Sequence, residues 1–390
     1  MFDVVCERLD DFGNGVCHVS GKVLFVSNLL PFEEAKVRVI LEKKKYMVGE
    51  VVEILKKSKA RVTSRCPYEN CGCVFMNLSY EDTLVYKKNK VISLLKKFAS
   101  IDLDNVEIIG DLNGYGYRNK VSLKVHNGKI GYYKNGTNDL IEIDRCLILS
   151  DRINEIIGVL KNEDLSNVNS IVIKDMDDIL IDIDGFMDFS NLKSHVSSIF
   201  MDGKCVYGLD KVPCSLMGYK FLVSKDSFFQ VNKKITEKLY SKVLEYAVTG
   251  DKLIDLYCGT GTIGTILSKN YKEVIGIEIN KSAVECAEEN MKINNIKNMS
   301  FMCGDANKLC KGLRADTVVV DPARAGLSSL GVRNILEINS KRIVYVSCNP
   351  VTLARDLKEL SSNYELKDIC LFDMFPWTYH CESIAVLVKK

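Results

Sequence analysis

The chain has 390 residues, 47% hydrophobic and 27% charged, with a formal net charge of +2. That length allows two or three domains around sizeable cores, and a near-neutral total excludes any partner argued from net charge alone. The 15 cysteines would make a disulfide scaffold only in a short secreted chain, and Met1-Phe2-Asp3-Val4-Val5-Cys6-Glu7 has no basic segment leading an apolar one. A cytoplasmic protein with no membrane span is therefore expected, its thiols buried, metal-bound or catalytic.

Residues 1–57 read as short strands separated by turns: Val23 to Val26 after Gly21, Val37 to Leu41, and Val51 to Leu55 after Gly49. Such a run predicts a small closed β-barrel of the OB type, the shape that binds oligonucleotides. Between Lys36 and Arg65 ten Lys/Arg stand against three Glu, a local excess that favours a polyanion such as RNA. Lys43, Lys44 and Lys45 would sit on one rim.

A central α/β segment is predicted over residues 58–225. It opens on Cys66-Pro67-Tyr68-Glu69-Asn70-Cys71-Gly72-Cys73. Three thiols in one bent stretch can converge on a metal centre, with Cys146 as the fourth ligand; thiolate-only sets suit an iron–sulfur cluster or structural zinc. Ser79, with Asp82 three residues on, starts a helix. Its apolar positions are Leu84, Val91, Leu94, Leu95 and Phe98, and Lys87, Lys88, Lys90 and Lys97 are expected on the polar face. Asn127-Gly128 predicts a hairpin turn after the strand Val121 to Val125.

From residue 226 to 390 strands and helices alternate, the pattern of a doubly wound parallel sheet. The strand Leu253 to Tyr257 leads into Cys258-Gly259-Thr260-Gly261-Thr262-Ile263-Gly264, and Val274 to Glu278 ends in an acid. This glycine spacing lets backbone approach a ligand while the strand-end acid holds ribose hydroxyls, as for a dinucleotide or S-adenosylmethionine. Thr317 to Val320 ends at Asp321-Pro322. The strand Ile343 to Val346 ends at Ser347-Cys348-Asn349-Pro350, which puts Cys348 where open α/β sheets bind ligands. A nicotinamide enzyme leaves those last two strand ends unexplained, whereas methyl transfer to a base uses them. Methylating carbon 5 of a pyrimidine needs a thiolate to add at carbon 6, a general base for the carbon-5 proton, and a sulfonium methyl donor. Glu382, before the closing strand, is the expected base, with His380 its rival.

The sequence resembles the S-adenosylmethionine-dependent RNA (uracil-5-)-methyltransferases, specifically the branch with an N-terminal TRAM barrel and an iron–sulfur cluster that acts on large-subunit (23S) rRNA. The resemblance rests on Phe228-Phe229-Gln230-Val231-Asn232, Asp255 to Gly261, Val320-Asp321-Pro322-Ala323-Arg324, Ser347-Cys348-Asn349-Pro350, Thr352 to Asp356, and Phe375-Pro376 through His380 and Glu382. It spans essentially the whole chain. It implies a Rossmann-like class I methyltransferase domain at 226–390, a TRAM barrel at 1–57, and a monomer methylating a uridine through a covalent Cys348–uracil intermediate, with Glu382 as base. It further implies cofactor contacts from Gln230, Tyr257, Thr262, Glu278, Asp305 and Asp321, and a 4Fe–4S cluster on Cys66, Cys71, Cys73 and Cys146. Three positions depart from the family pattern: Phe32 replaces a glycine after proline, Thr262 replaces a common asparagine, and Cys66-x4-Cys71-Gly-Cys73 is one residue short in each gap. A 5-methylcytosine enzyme would place a second cysteine after Pro322, where Ala323 stands. A tRNA enzyme and a non-catalytic RNA-binding iron–sulfur protein remain the alternatives.

Overall fold

A computed structural model describes residues 1–68 and 71–390; Glu69 and Asn70, inside the cysteine motif, lie outside the described residues. At the N-terminus, Phe2–Val5, Arg8–Leu9, Gly15–Val19, Lys22–Ser27, Glu34–Glu42 and Tyr46–Lys56 form one six-stranded sheet. Consecutive residues join its two edges, since Cys6 N–H donates to the Glu33 carbonyl and Glu7 N–H to the Val16 carbonyl, both at 2.9 Å. The sheet therefore curls on itself around Cys17, Leu24, Val26, Ala35 and Val37. At the Pro31-Phe32 turn Phe32 takes φ +67°, the left-handed conformation a glycine would adopt freely. Buried Glu33 then receives both arms of the Arg61 guanidinium (2.6 and 2.7 Å) and ties the curled sheet to the next segment.

A second sheet of seven strands spans residues 120–208, in the order Leu140–Glu142, Lys129–Tyr133, Lys120–His126, Val168–Asp175, Ile179–Gly185, Ser198–Met201, Lys204–Gly208. Asn127 and Gly128, both at positive φ, make the predicted hairpin turn. The helix Asp151–Leu160 contributes Ile153, Ile156, Ile157 and Leu160 to this sheet's core.

The third large sheet has eight strands, in the order Met299–Cys303, Tyr271–Glu278, Gly250–Leu256, Thr317–Val320, Arg342–Ser347, Glu382–Lys389, Tyr364–Phe372, Glu107–Ile109. The first five run parallel, and Glu382–Lys389 lies antiparallel to both neighbours. Their near-continuous apolar runs follow from burial on both faces. Helices Lys233–Ala247 and Thr262–Leu267 pack on one face, and Ser329–Ile338 and Pro350–Leu360 on the other. The chain is thus α/β with a Rossmann-like C-terminal layer.

Residues 80–109, read from sequence as part of the central segment, contribute to this third layer. Glu107–Ile109 pairs with Tyr364–Phe372, and the helix Tyr80–Leu94, capped by Ser79 as predicted, buries Val91 against its core. Lys87 corrects the expected polar face. It is fully buried, ion-paired with Asp373, and its ammonium also donates to the Phe375 carbonyl at 3.0 Å. No helix among the described residues is long and apolar enough to cross a membrane.

Candidate active site

Five adjacent strands end at one edge of the eight-stranded sheet, and their tips carry most of the residues singled out above. Tyr271–Glu278 ends in Glu278, Gly250–Leu256 leads into Tyr257, Thr317–Val320 into Asp321, and Arg342–Ser347 into Cys348. The antiparallel strand begins at Glu382 on this same edge. Ser347 pairs with Ser383, so one residue further along each strand Cys348 stands across from Glu382. Asn349 caps the following helix and Pro350 occupies its first turn, where a missing N–H costs nothing. Glu382 is buried.

Their mutual fields confirm that these groups share one space. Burial pushes the Cys348 thiol up to about 11, with Glu382 and Asp321 adding to the rise and Arg324 opposing it. Glu382 is raised to about 8 by burial and by Asp321, again against Arg324. Asp321 is raised to about 7 by loss of solvent. His380 is lowered to about 4 by burial and then by Arg324 and the nearby lysines, so it is neutral at pH 7. Arg324 is the cation of this group, and it had been assigned no role from sequence, although it stands in the Asp-Pro-Ala-Arg run. Its backbone is fixed by Asn349 Nδ2 and Thr352 Oγ1, which donate to its carbonyl at 2.9 and 3.3 Å. Arg355 then holds the Ala325 and Leu327 carbonyls at 3.0 and 2.8 Å.

Beside the thiol lies the glycine turn. Tyr257, Gly259 and Gly261 all take positive φ, and a Cβ on Gly259 would meet nothing within 4 Å, which leaves open space over the turn. Glu278 accepts from Gly259 N–H at 3.1 Å and from Asn280 N–H at 2.8 Å. Buried Asp255 braces the helix start by accepting from Gly264 N–H at 2.9 Å; burial raises it to about 8, and its Oδ1 has no partner among the described residues. Thr262 opens that helix, its hydroxyl 3.4 Å from that of Thr260. Asp305 stands further out. It caps a short helix and holds Asn307 Nδ2 at 2.8 Å, while Asn307 Oδ1 accepts from the Tyr257 hydroxyl at 3.0 Å. An open turn with a strand-end acid and two acids raised by burial fits S-adenosylmethionine, whose adenosine needs the cradle and whose sulfonium suits carboxylates.

Gln230 is buried just before the helix Lys233–Ala247, with Asn119 Nδ2 donating to its backbone carbonyl at 3.2 Å. Buried Tyr240 on that helix feels Asp321, Asp255 and Glu382, so this part of the helix lies near the strand tips.

The four cysteines come near one another without converging. Cys66, Cys73 and Cys146 pack around Tyr80, Tyr117, Ile148 and Trp377, and burial followed by the Cys66 and Cys146 thiols raises Cys71 to about 11. Cys66 and Cys71 both lie against the Tyr68 carbonyl, at 3.6 and 3.8 Å. Among the described residues no group of three or more His, Cys, Asp or Glu is placed to hold a metal ion.

Residues 193–390 match the family model described as tRNA (Uracil-5-)-methyltransferase. An uncharacterized RNA methyltransferase of Clostridium acetobutylicum is 34% identical, over 98% of this chain and 96% of its own length. Another, from Staphylococcus aureus, is 32% identical over 97% and 96%. Among solved structures, the Pyrococcus abyssi tRNA (uracil-54, C5)-methyltransferase in complex with S-adenosyl-L-homocysteine superposes with a TM-score of 0.82 at 28% identity, covering 99% of this chain and 100% of that one.

Proposed function

The chain belongs to the RNA (uracil-5-)-methyltransferase family, enzymes that use S-adenosylmethionine, and from that premise we propose that Cys348 attacks carbon 6 of a target uracil while Glu382 removes the carbon-5 proton. The observation that carries this reading is the register that sets Cys348 across from buried Glu382 at the strand tips. Addition of the Cys348 thiolate turns the ring into an enolate that is nucleophilic at carbon 5. S-adenosylmethionine, when bound, supplies the methyl group from its sulfonium. Glu382 as carboxylate takes the carbon-5 proton, and the returning electrons expel the Cys348 thiolate. Arg324 is the cation that favours both ionised forms. Gln230, Tyr257, Thr262, Glu278 and Asp321 are the proposed cofactor contacts, with Asp305 acting at the rim through Asn307 and Tyr257.

RNA carrying 5-fluorouridine has no carbon-5 proton to lose, so the wild-type protein should hold it in a denaturant-resistant adduct. Cys348→Ala should form none, and Glu382→Gln should accumulate methylated, covalently held RNA from the normal substrate. An adduct on Cys348→Ala would remove the nucleophile assignment.

Large-subunit rRNA is the proposed substrate, supported by the exposed Lys43-Lys44-Lys45 tip of the N-terminal sheet. A tRNA is the second reading. The Pyrococcus abyssi enzyme acts on uracil-54 of tRNA and is matched along its whole length, so an N-terminal sheet of this kind does not by itself separate the two. Mass spectrometry of nucleosides from rRNA and tRNA, with and without the gene, decides between them.

We also propose a 4Fe–4S cluster on Cys66, Cys71, Cys73 and Cys146, supported by a donor set of thiols alone, three of which pack in one apolar cluster. Protein purified without oxygen should be brown with about four irons per chain. Colourless protein carrying one zinc would overturn the cluster.

A further inference from the structure

At the tip of the turn between Arg8–Leu9 and Gly15–Val19, Phe12 is 61% exposed, yet it is rigidly held. Asp10 Oδ1 accepts from the backbone N–H of Phe12 and Asn14 at 2.9 and 2.8 Å. Gly13 takes φ +84° beneath it, and a Cβ there would come within 2.7 Å of the Phe75 ring. Helix Tyr80–Leu94 clamps the turn from below, Tyr86 Oη donating to the Asp10 carbonyl and Lys90 Nζ to the Asp11 carbonyl, both at 2.5 Å. An apolar ring fixed in solvent by this many contacts is a surface prepared for an apolar partner.

The ring is also the outer end of an aromatic path into the active site. Phe12 meets Tyr379 edge-on at 5.6 Å, Tyr379 lies against His380 at 4.2 Å, and His380 meets Phe375 at 5.8 Å. The Lys90 ammonium sits 5.2 Å from the Tyr379 ring. His380 is two residues from Glu382 and within the field of Arg324. The carboxylates of Asp10 and Asp11 beside Phe12 repel phosphate, so an RNA segment meets this surface through a base face and not through its backbone.

We propose that Phe12, braced edge-on by Tyr379, forms a stacking platform for the nucleobase of an unpaired nucleotide flanking the target uridine. The platform rests on RNA being the substrate, and it would let the N-terminal sheet contribute to holding the flipped conformation at Cys348.

The test uses full-length protein and transcripts of large-subunit rRNA domains and of tRNA lacking modification. Phe12→Ala should weaken binding of the substrate transcript about 5- to 150-fold, the span of one lost base stack. Phe12→Trp should restore it, because every base stacks on an indole face, and Phe12→Leu should not. The slope of log K against log salt, the affinity for S-adenosylmethionine and the melting temperature should stay at the wild-type values, since no charge or core contact is removed. Equal RNA binding by Phe12→Ala, rescue by Phe12→Leu as full as by Phe12→Trp, or a changed salt slope would each overturn the platform. Wild-type protein that bound and methylated neither transcript would instead overturn the underlying reading, and the platform with it.

Discussion

A thiol whose charged neighbours include two carboxylates is a poor nucleophile until a cation joins them. Cys348 faces Glu382 and Asp321, with Arg324 the opposing charge, and at pH 7 it is almost wholly protonated. Asp321 near 7 and Glu382 near 8 are raised acids, protonated below those values and anionic above them. A bound sulfonium favours the anions, so binding should release protons and tighten as pH rises through 6 to 8. Each proton released steepens the dependence by up to about tenfold per pH unit. S-adenosylhomocysteine has no sulfonium charge, and its affinity should rise less over the same window. Titration calorimetry in two buffers of different ionisation enthalpy measures the protons directly, and Asp321→Asn should narrow the difference between the two ligands. Identical pH profiles for both in the wild-type protein would mean that the raised carboxyls do not face the sulfonium. The placement of Cys348 and Glu382 at strand tips was legible from sequence because apolar runs stop where the sheet stops. Arg324 was not, because nothing local distinguishes a charged loop residue turned toward the site from one turned to solvent.

Elements from distant parts of the chain hold the site together, and local periodicity cannot register them. Lys87 lies three residues after Leu84 and four before Val91, inside the apolar stripe of its helix, and its charge alone assigned it to the outer face. Its partner Asp373 is 286 residues away, and together with the Tyr80 hydroxyl, which donates to Asp373 at 2.7 Å, the pair locks the helix to the segment leading into Glu382. The three-residue strand Glu107–Ile109 was invisible for the same reason. Lys174 is a second such link. It rises from the strand Val168–Asp175, buried, and its ammonium donates to the carbonyls of Ser224, Lys225 and Ser227 at 2.8, 2.7 and 2.8 Å. Burial lowers it to about 8. Three carbonyls converging on one point suit an ammonium and not a planar guanidinium. Lys174→Met should remove that donor from all three carbonyls, of which Ser224 keeps the Ser227 N–H at 3.3 Å, and cost about 1–3 kcal/mol of stability. It should also raise KM for S-adenosylmethionine, because the freed turn leads directly into Phe228-Phe229-Gln230. Lys174→Arg should not restore KM. A Lys174→Met protein that melts lower but keeps the wild-type KM would confine the lysine to stability.

Across the molecule, the segment 373–382 is where the three layers meet. Trp377 donates to the Gly114 carbonyl at 2.7 Å, accepts from Phe75 N–H at 3.0 Å through its own carbonyl, and packs in the cluster that holds Cys66, Cys73 and Cys146. The basic stretch read from sequence as one platform is divided by the fold. Lys36, Arg38 and Lys56 are paired on the sheet with Glu53, Glu50 and Glu34, and Arg61 with Glu33. Lys43, Lys44 and Lys45 stand exposed in the turn between Glu34–Glu42 and Tyr46–Lys56, with no ion-pair partner among the described residues. Only unpaired ammonium groups release counterions on meeting phosphate in full, so the salt dependence of RNA binding should come from this tip more than from the strands. Replacing Lys43, Lys44 and Lys45 together by alanine should flatten the slope of log K against log salt by up to about 2–3, at roughly 0.7–0.9 per contact. Replacing Lys36 and Lys56, whose charges are already balanced, should change it by less than one contact's worth. S-adenosylmethionine binding should be unaffected in both variants, because the tip belongs to a separate sheet. If the triple variant keeps the wild-type slope while the pair on the strands loses it, the ion pairs open on binding and the strands, not the tip, carry the backbone of the RNA.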